Sequence, residues 1–179
     1  VYTTSDPKKG WTLLSRIPHF HDASLFFDDD GKAYIFYGTG QLRELKPDLS
    51  GVMPGGVDMK IFERDKEENA LLEGSRVIKH DGKYYLSYHT KYGNKIDKNH
   101  PDDPNRKPSE LAYSVGDSPM GPFKYGGVMN YELGVGVKNG PKLPGYDYVP
   151  WRLTQSNHGG IVEYHGQEYL FYHLSLIHI

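Results

Sequence analysis

Glu73-Gly74-Ser75-Arg76-Val77-Ile78-Lys79-His80-Asp81-Gly82-Lys83-Tyr84-Tyr85-Leu86-Ser87-Tyr88 is the stretch that decides the fold. An ionisable residue followed by small ones leads into an apolar strand. Asp81-Gly82 supplies the positive φ that a tight hairpin needs, and the chain returns as a second strand. The pattern occurs twice more. Asp22-Ala23-Ser24-Leu25-Phe26-Phe27-Asp28-Asp29-Asp30-Gly31-Lys32-Ala33-Tyr34-Ile35-Phe36-Tyr37 precedes it, and His158-Gly159-Gly160-Ile161-Val162-Glu163-Tyr164-His165-Gly166-Gln167-Glu168-Tyr169-Leu170-Phe171-Tyr172 follows it. Asp22 and Glu73 lie 51 residues apart, Glu73 and His158 85. In the first two copies the ionisable residue stands 12 positions before the Tyr that opens a Tyr-apolar-x-Tyr strand. In the third it stands 11 before, because the turn is one residue shorter. A hairpin repeat of this size predicts an all-β propeller.

The outer parts of the unit repeat as well. Val1-Tyr2-Thr3-Thr4, the turn Ser5-Asp6-Pro7-Lys8-Lys9-Gly10 and Trp11 return as Leu111-Ala112-Tyr113-Ser114, Asp117-Ser118-Pro119-Met120-Gly121-Pro122 and Phe123. Residues 21–63 read as one whole unit: a hairpin over Ala23–Tyr37, a third strand at Gln41–Leu45, a turn at Pro47–Gly51 and a fourth strand at Met59–Glu63. Residues 64–72 read as a charged connector. Residues 73–130 form the next unit, with a polar, Pro-broken insertion at 91–109 read as a surface loop. Residues 131–157 are Gly/Pro-rich and carry Tyr146, Tyr148 and Trp151. That loop either lines a binding face or holds ordinary aromatic packing. Residues 158–173 open a further unit that does not finish. We expect residues 1–173 to be a partial propeller domain, truncated at both ends. Leu174–Ile179 reads as a non-native tail, the alternative being a genuine strand. Open sheet edges recruit other chains, so aggregation on expression is expected.

Bulk properties remove several function classes. Net charge is −2 with 25% charged residues, which gives no basic footprint for nucleic acid. No apolar run approaches the roughly 18 residues that span a bilayer. There is no cysteine, so disulfides play no part, and this says nothing about secretion. The chain has 15 Tyr, 21 Gly and 12 Pro, which suits strands cut by turns. No nucleophile elbow, phosphate loop or zinc-protease helix motif is present. Gly134-Val135-Gly136 lacks the helix a dinucleotide loop requires.

The chemistry rests on register. Inner strands of a propeller converge on its axis, so Asp22, Glu73 and His158 are expected at one mouth. Two nearby carboxylates shift each other's pKa, and the protonated one can donate to a glycosidic oxygen. Read singly, each residue has a duller explanation: a turn aspartate, a lone Glu-Gly, a histidine satisfied by backbone. Asp28, Asp29 and Asp30 read as turn residues. His21, His80, His89, His100 and His165 share no register and read as surface or packing residues. No packing rule requires an ionisable residue at one slot three times, and this favours a site.

At these residues the chain resembles glycoside hydrolase family 43, five-bladed propeller enzymes acting on arabinose- and xylose-containing polysaccharides. The matching segments are His21–Lys32, Leu71–Ser75 with Asp81–Leu86, Ser118–Phe123, and His158–Glu163 with Tyr169–His173. The resemblance implies the end of blade two, blades three and four, and the start of blade five. It implies a Glu general acid at Glu73, and at Asp22 an aspartate that tunes the acid's pKa and orients it. His158 is implied as the blade-five histidine near the axis. With Trp151 and His21 it makes up the candidate substrate-binding set, and it is the candidate metal contact. No cofactor is required; a structural calcium near the axis is the metal the family suggests. The family inverts configuration, with acid and base carboxyls roughly 6.5–9.5 Å apart. Its base is an Asp of blade one, which this chain is expected to lack, so the 179 residues are expected to be inactive alone. Ala23 stands where many relatives carry Pro. The implied partner is an arabinose- or xylose-containing oligo- or polysaccharide, and the implied location is secreted or periplasmic. A non-catalytic sugar- or protein-binding propeller is the competing reading, and a five-bladed family acting on fructans is a third.

Overall fold

A computed structural model describes residues 1–17, 20–58, 71–90, 110–131 and 154–176. The described residues form twelve strands and no helix. They are β1 (Tyr2–Thr3), β2 (Thr12–Leu13), β3 (Ser24–Phe27), β4 (Ala33–Tyr37), β5 (Gln41–Glu44), β6 (Val57–Asp58), β7 (Leu71–His80), β8 (Lys83–Thr90), β9 (Glu110–Gly116), β10 (Phe123–Tyr131), β11 (Thr154–Tyr164) and β12 (Gln167–Leu176). Two antiparallel four-stranded sheets, β3-β4-β5-β6 and β7-β8-β9-β10, stand between the two-stranded pairs β1-β2 and β11-β12. These are two whole propeller blades, the end of one before them and the start of one after.

Several boundaries differ from the sequence reading. β7 opens at Leu71, inside the stretch read as connector, because Leu71 packs into the core at 4% exposure. β11 opens at Thr154, inside the stretch read as loop, by pairing Thr154 with Leu176. β12 therefore runs through Leu174–Leu176, three residues of the proposed tail. The fourth strand of the first blade begins at Val57, earlier than read; Met59–Glu63 lie outside the described residues, as do the loops at 91–109 and 132–153, Trp151 and His100.

The core lies between the two whole blades. Tyr34, Phe36 and Leu42 of the first pack on Val77, Tyr84, Leu86, Tyr88 and Ala112 of the second. Burying each of the larger of these side chains contributes about 1.5–3 kcal/mol. The other face of β4, Ala33 and Ile35, packs with Leu45 on Ile17 and Phe20. β4 is thus covered on both sides, which explains an apolar run rather than an alternation there. The outermost faces are open: Leu25 and Phe27 on β3, and Val162, Tyr169 and Phe171 on the β11-β12 hairpin, stand exposed.

Repeat-equivalent residues meet across the blade interface. The Ser24 hydroxyl donates to the Ser75 carbonyl, and Lys79 Nζ donates to Asp28 Oδ1 at 2.8 Å; each pair is 51 residues apart, one repeat. Tyr84 OH donates to Asp28 Oδ2 at 2.6 Å. Asp28 is therefore more than the turn residue its sequence suggested. Its side chain is 6% exposed and ties the turn of one blade to the next. Burial works against its charge. The hydrogen bonds from Lys79, Tyr84 and the Asp29 amide outweigh burial and hold the carboxyl below its ordinary 3.8. A lowered folded pKa means stability that is present above the unfolded value and lost as pH falls through the folded one. Asp28→Ala is expected to cost about 1.5–3 kcal/mol, read as a lower urea midpoint at unchanged slope. The gap between wild type and variant should narrow as pH falls below the ordinary 3.8 and through the lowered folded value.

Candidate active site

The inner strands bring the three repeat-equivalent residues together, each by a local irregularity. Asp22 lies in the turn before β3, not in the strand, at φ 49, a left-handed conformation Asp tolerates. Glu73 lies in β7 with a register shift on either side of it. Gly74, at φ 68, makes the kink. His158 follows a register shift in β11. Such bulges re-aim a side chain that a regular strand would point elsewhere.

Glu73 is the centre, with its side chain 19% exposed. His158 Nε2 lies 3.2 Å from Oε1, hydrogen-bonded, with either atom able to carry the proton. His21 Nε2 lies 3.7 Å from Oε2 and 3.2 Å from Asp22 Oδ2. His21, Asp22 and Glu73 offer atoms within 4.8 Å of one another. The Asp22 and Glu73 carboxylates are thus near neighbours, with the 68%-exposed His21 ring against both. Oxygens within 4.8 Å of each other stand closer than the roughly 6.5–9.5 Å that separates the acid and base carboxyls of an inverting pair.

His89 was read as a surface or packing residue without register. It is buried at 1% exposure and sits directly across the β7–β8 ladder from Glu73. Its ring centroid is 5.9 Å from that of His158. Burial, then the neighbouring His158, pushes its pKa down to about 4, with Glu73 pulling partly the other way, so it is neutral at pH 7. A signal for it was in the sequence: Tyr85-Leu86-Ser87-Tyr88-His89 matches Tyr169-Leu170-Phe171-Tyr172-His173, and His173 pairs with His158 as His89 pairs with Glu73. His80 is a surface residue, 2.9 Å from Glu168, and His165 is an exposed turn residue.

A cleft of about 500 Å³ opens beside this cluster, lined by Asp22, Ser24, Ser75, Arg76, His158 and Tyr172 among others. It runs between β3, β7 and the last hairpin. The Ser75 hydroxyl is buried there with no hydrogen-bond partner among the described residues. The wall of the groove offers the Asp22 carboxylate, the Arg76 cation and the His158 imidazole, and the Glu73 carboxyl is hydrogen-bonded to that imidazole. It can hold a polar ligand and give it a proton.

Residues 1–123 match the family model for glycosyl hydrolases family 43. Asp22 and Glu73 fall inside the matched span; His158 falls outside it. An arabinoxylan arabinofuranohydrolase of Paenibacillus polymyxa is 27% identical over 173 residues, 92% of this chain and 24% of its own length. A β-xylosidase of Xylanibacter ruminicola is 30% identical over 189 residues, 85% of this chain and 48% of its own. The solved α-L-arabinofuranosidase of Clostridium thermocellum ATCC 27405 superposes with a TM-score of 0.52 at 27% identity, over 84% of this chain and 40% of that one. A GH43 protein of Bacillus licheniformis reaches 0.63 at 22% identity, over 96% of this chain and 29% of that one, a likeness of fold alone. The chain spans about a quarter to a half of the length of these curated relatives.

Proposed function

The chain belongs to glycosyl hydrolases family 43, and on that premise we propose that it is the part of an inverting glycosidase that supplies the general acid. The substrate class is an arabinofuranosyl or xylosyl linkage in plant cell-wall polysaccharide. Glu73 protonates the leaving glycosidic oxygen. Asp22 is its tuning neighbour, since a nearby negative charge favours a protonated carboxyl. The observation that carries this reading is the contact of repeat-equivalent residues: Glu73 is bonded to His158 and within 4.8 Å of Asp22, and His158 and Asp22 line the cleft. The sugar's glycosidic oxygen would be met by Oε2, the carboxyl oxygen beside His21, while His158 stays on Oε1. Arg76, which lines the cleft, is at hand for sugar hydroxyls. Such polymers are met outside the cytoplasm, which suits a secreted or periplasmic location.

The inverting base must stand roughly 6.5–9.5 Å from the acid across the sugar. Asp22 is too near for that part. We therefore expect a chain of the relatives' full length to hydrolyse an aryl arabinofuranoside or aryl xyloside, and the 179 residues alone to show no turnover above background. Turnover by the 179 residues that disappears in Glu73→Gln would mean the base lies within them.

A calcium near the axis, as the resemblance suggests, would take most of its oxygen ligands from water or from residues outside those described. Calcium takes six to eight oxygen ligands. The described group that includes His158 offers two imidazoles and one carboxylate. No step of the reaction is routed through a metal.

A further inference from the structure

We propose that two copies of the 179-residue chain close on each other into one ring of six blades. The β11-β12 hairpin of each copy and the β1-β2 pair of the other together make a four-stranded blade. The inference does not rest on Glu73 being the acid.

The two half blades are complementary. The second whole blade runs as an inner hairpin, β7-β8, and an outer pair, β9-β10, joined by β8 against β9. The β11-β12 hairpin repeats the inner half, and among the described residues nothing pairs with the outer edge of β12. The β1-β2 pair repeats the outer half: Tyr2, Asp6 and Gly10 keep the spacing of Tyr113, Asp117 and Gly121. Among the described residues β1 has no strand on its other side. The register of the whole blade carries over. Tyr113 pairs with Ser87, which lies two residues past Tyr85 as Phe171 lies two past Tyr169. Tyr2 of one copy is thereby set against Phe171 of the other. Tyr88 OH and Ser114 Oγ lie 3.3 Å apart in the whole blade, and Tyr172 and Thr3 bring hydroxyls to the same two places. β12 carries no Lys or Pro, the usual guards of a free edge.

The open faces match as well. Phe26, Tyr34 and Phe36 of the first blade pack onto Val77, Tyr84 and Leu86 of the second. The ladders put Val162, Tyr169 and Phe171 at the same places in the last hairpin, since Val162 pairs with Tyr169 as Phe26 pairs with Tyr34. There all three are exposed, Phe171 at 65% against 0% for Phe36. At the other end of the copy Leu25 and Phe27 are exposed, and they alternate with Phe26, so they point away from the second blade. In the ring the exposed trio of one copy covers Leu25 and Phe27 of the other. Ring size fixes the number of copies. Each copy brings two whole blades and, through its two halves, the equivalent of one more. One copy closing on itself would have three blades, and three copies would have nine; two have six, inside the roughly four to eight that propellers use. Closure hides both ends of both copies, so growth stops at two.

The 179-residue chain should sediment as one discrete species of twice its 20.4 kDa. Phe171→Lys and Leu25→Lys place a charge in the joint from opposite ends, each at a residue exposed within its own copy. Both should give monomers that keep the wild-type far-ultraviolet spectrum. Lys124→Glu, on the outer strand β10, should leave the dimer intact. Crosslinking reads the register, because the chain has no cysteine of its own. Directly opposed cross-strand residues are close enough for a disulfide. Tyr2→Cys chains mixed dilute with Phe171→Cys chains, then concentrated and oxidised, should link one chain of each kind. Neither variant alone should crosslink. A wild-type monomer, an open-ended series of masses, or a dimer that survives Phe171→Lys overturns the proposal. So does crosslinking of Phe171→Cys chains to one another, which would mean that two β12 edges pair directly.

Discussion

Glu73→Gln, in a chain of the relatives' full length, is expected to lower kcat on arabinoxylan by about 10²–10⁴-fold, the usual worth of a positioned general acid. Gln fills the same volume and can still bond His158, so the fold and the cleft should survive, and the melting temperature should barely move. What is lost is the proton. The loss should depend on the leaving group. A sugar alkoxide cannot depart without protonation, whereas an activated aryl oxide largely can, so the aryl glycoside should lose far less. The alkaline limb of the pH–rate profile, which reports an acid that must stay protonated, should vanish. Equal losses on both substrates would assign Glu73 to binding. Unchanged hydrolysis of arabinoxylan would remove it from the site altogether.

Gly159→Ala should be among the most damaging small changes in the 179 residues. An added Cβ would lie 2.8 Å from Leu111 Cδ2, 2.8 Å from the Phe171 carbonyl oxygen and 3.1 Å from Tyr172 Cβ. Leu111 is fully buried in β9, and Phe171 and Tyr172 belong to the strand paired with β11. The hairpin must either back away from the second blade or splay its own strands. Overpacking of this kind costs about 1–3 kcal/mol. Because His158 is the preceding residue, its approach to Glu73 loosens as well. Urea denaturation checks the first effect. Gly51→Ala is the control, since its Cβ would meet only the Lys46 side chain at 3.8 Å. Equal midpoints for the two variants would mean the last hairpin does not pack as described.

The sequence by itself determined what is periodic. Hairpin pattern, turn residues and 51-residue spacing follow from local chemistry: Asp-Gly turns, β-branched and aromatic strands, and a slot that holds an ionisable residue three times. Local rules act over a few residues and repeat with the blade, so they can be read without knowing what packs on what. Only the tertiary structure decided which groups touch across blades. Asp28 looked like a turn residue until Lys79 and Tyr84 arrived from the next sheet. His89 read as a surface or packing residue until β7 and β8 set it opposite Glu73 and a second sheet brought the His158 ring beside it. Gly159 looked like one small residue of two until β9 came within reach. Burial, contact and ligand geometry arise from segments distant in the chain, and no pattern within one segment encodes the distance to another.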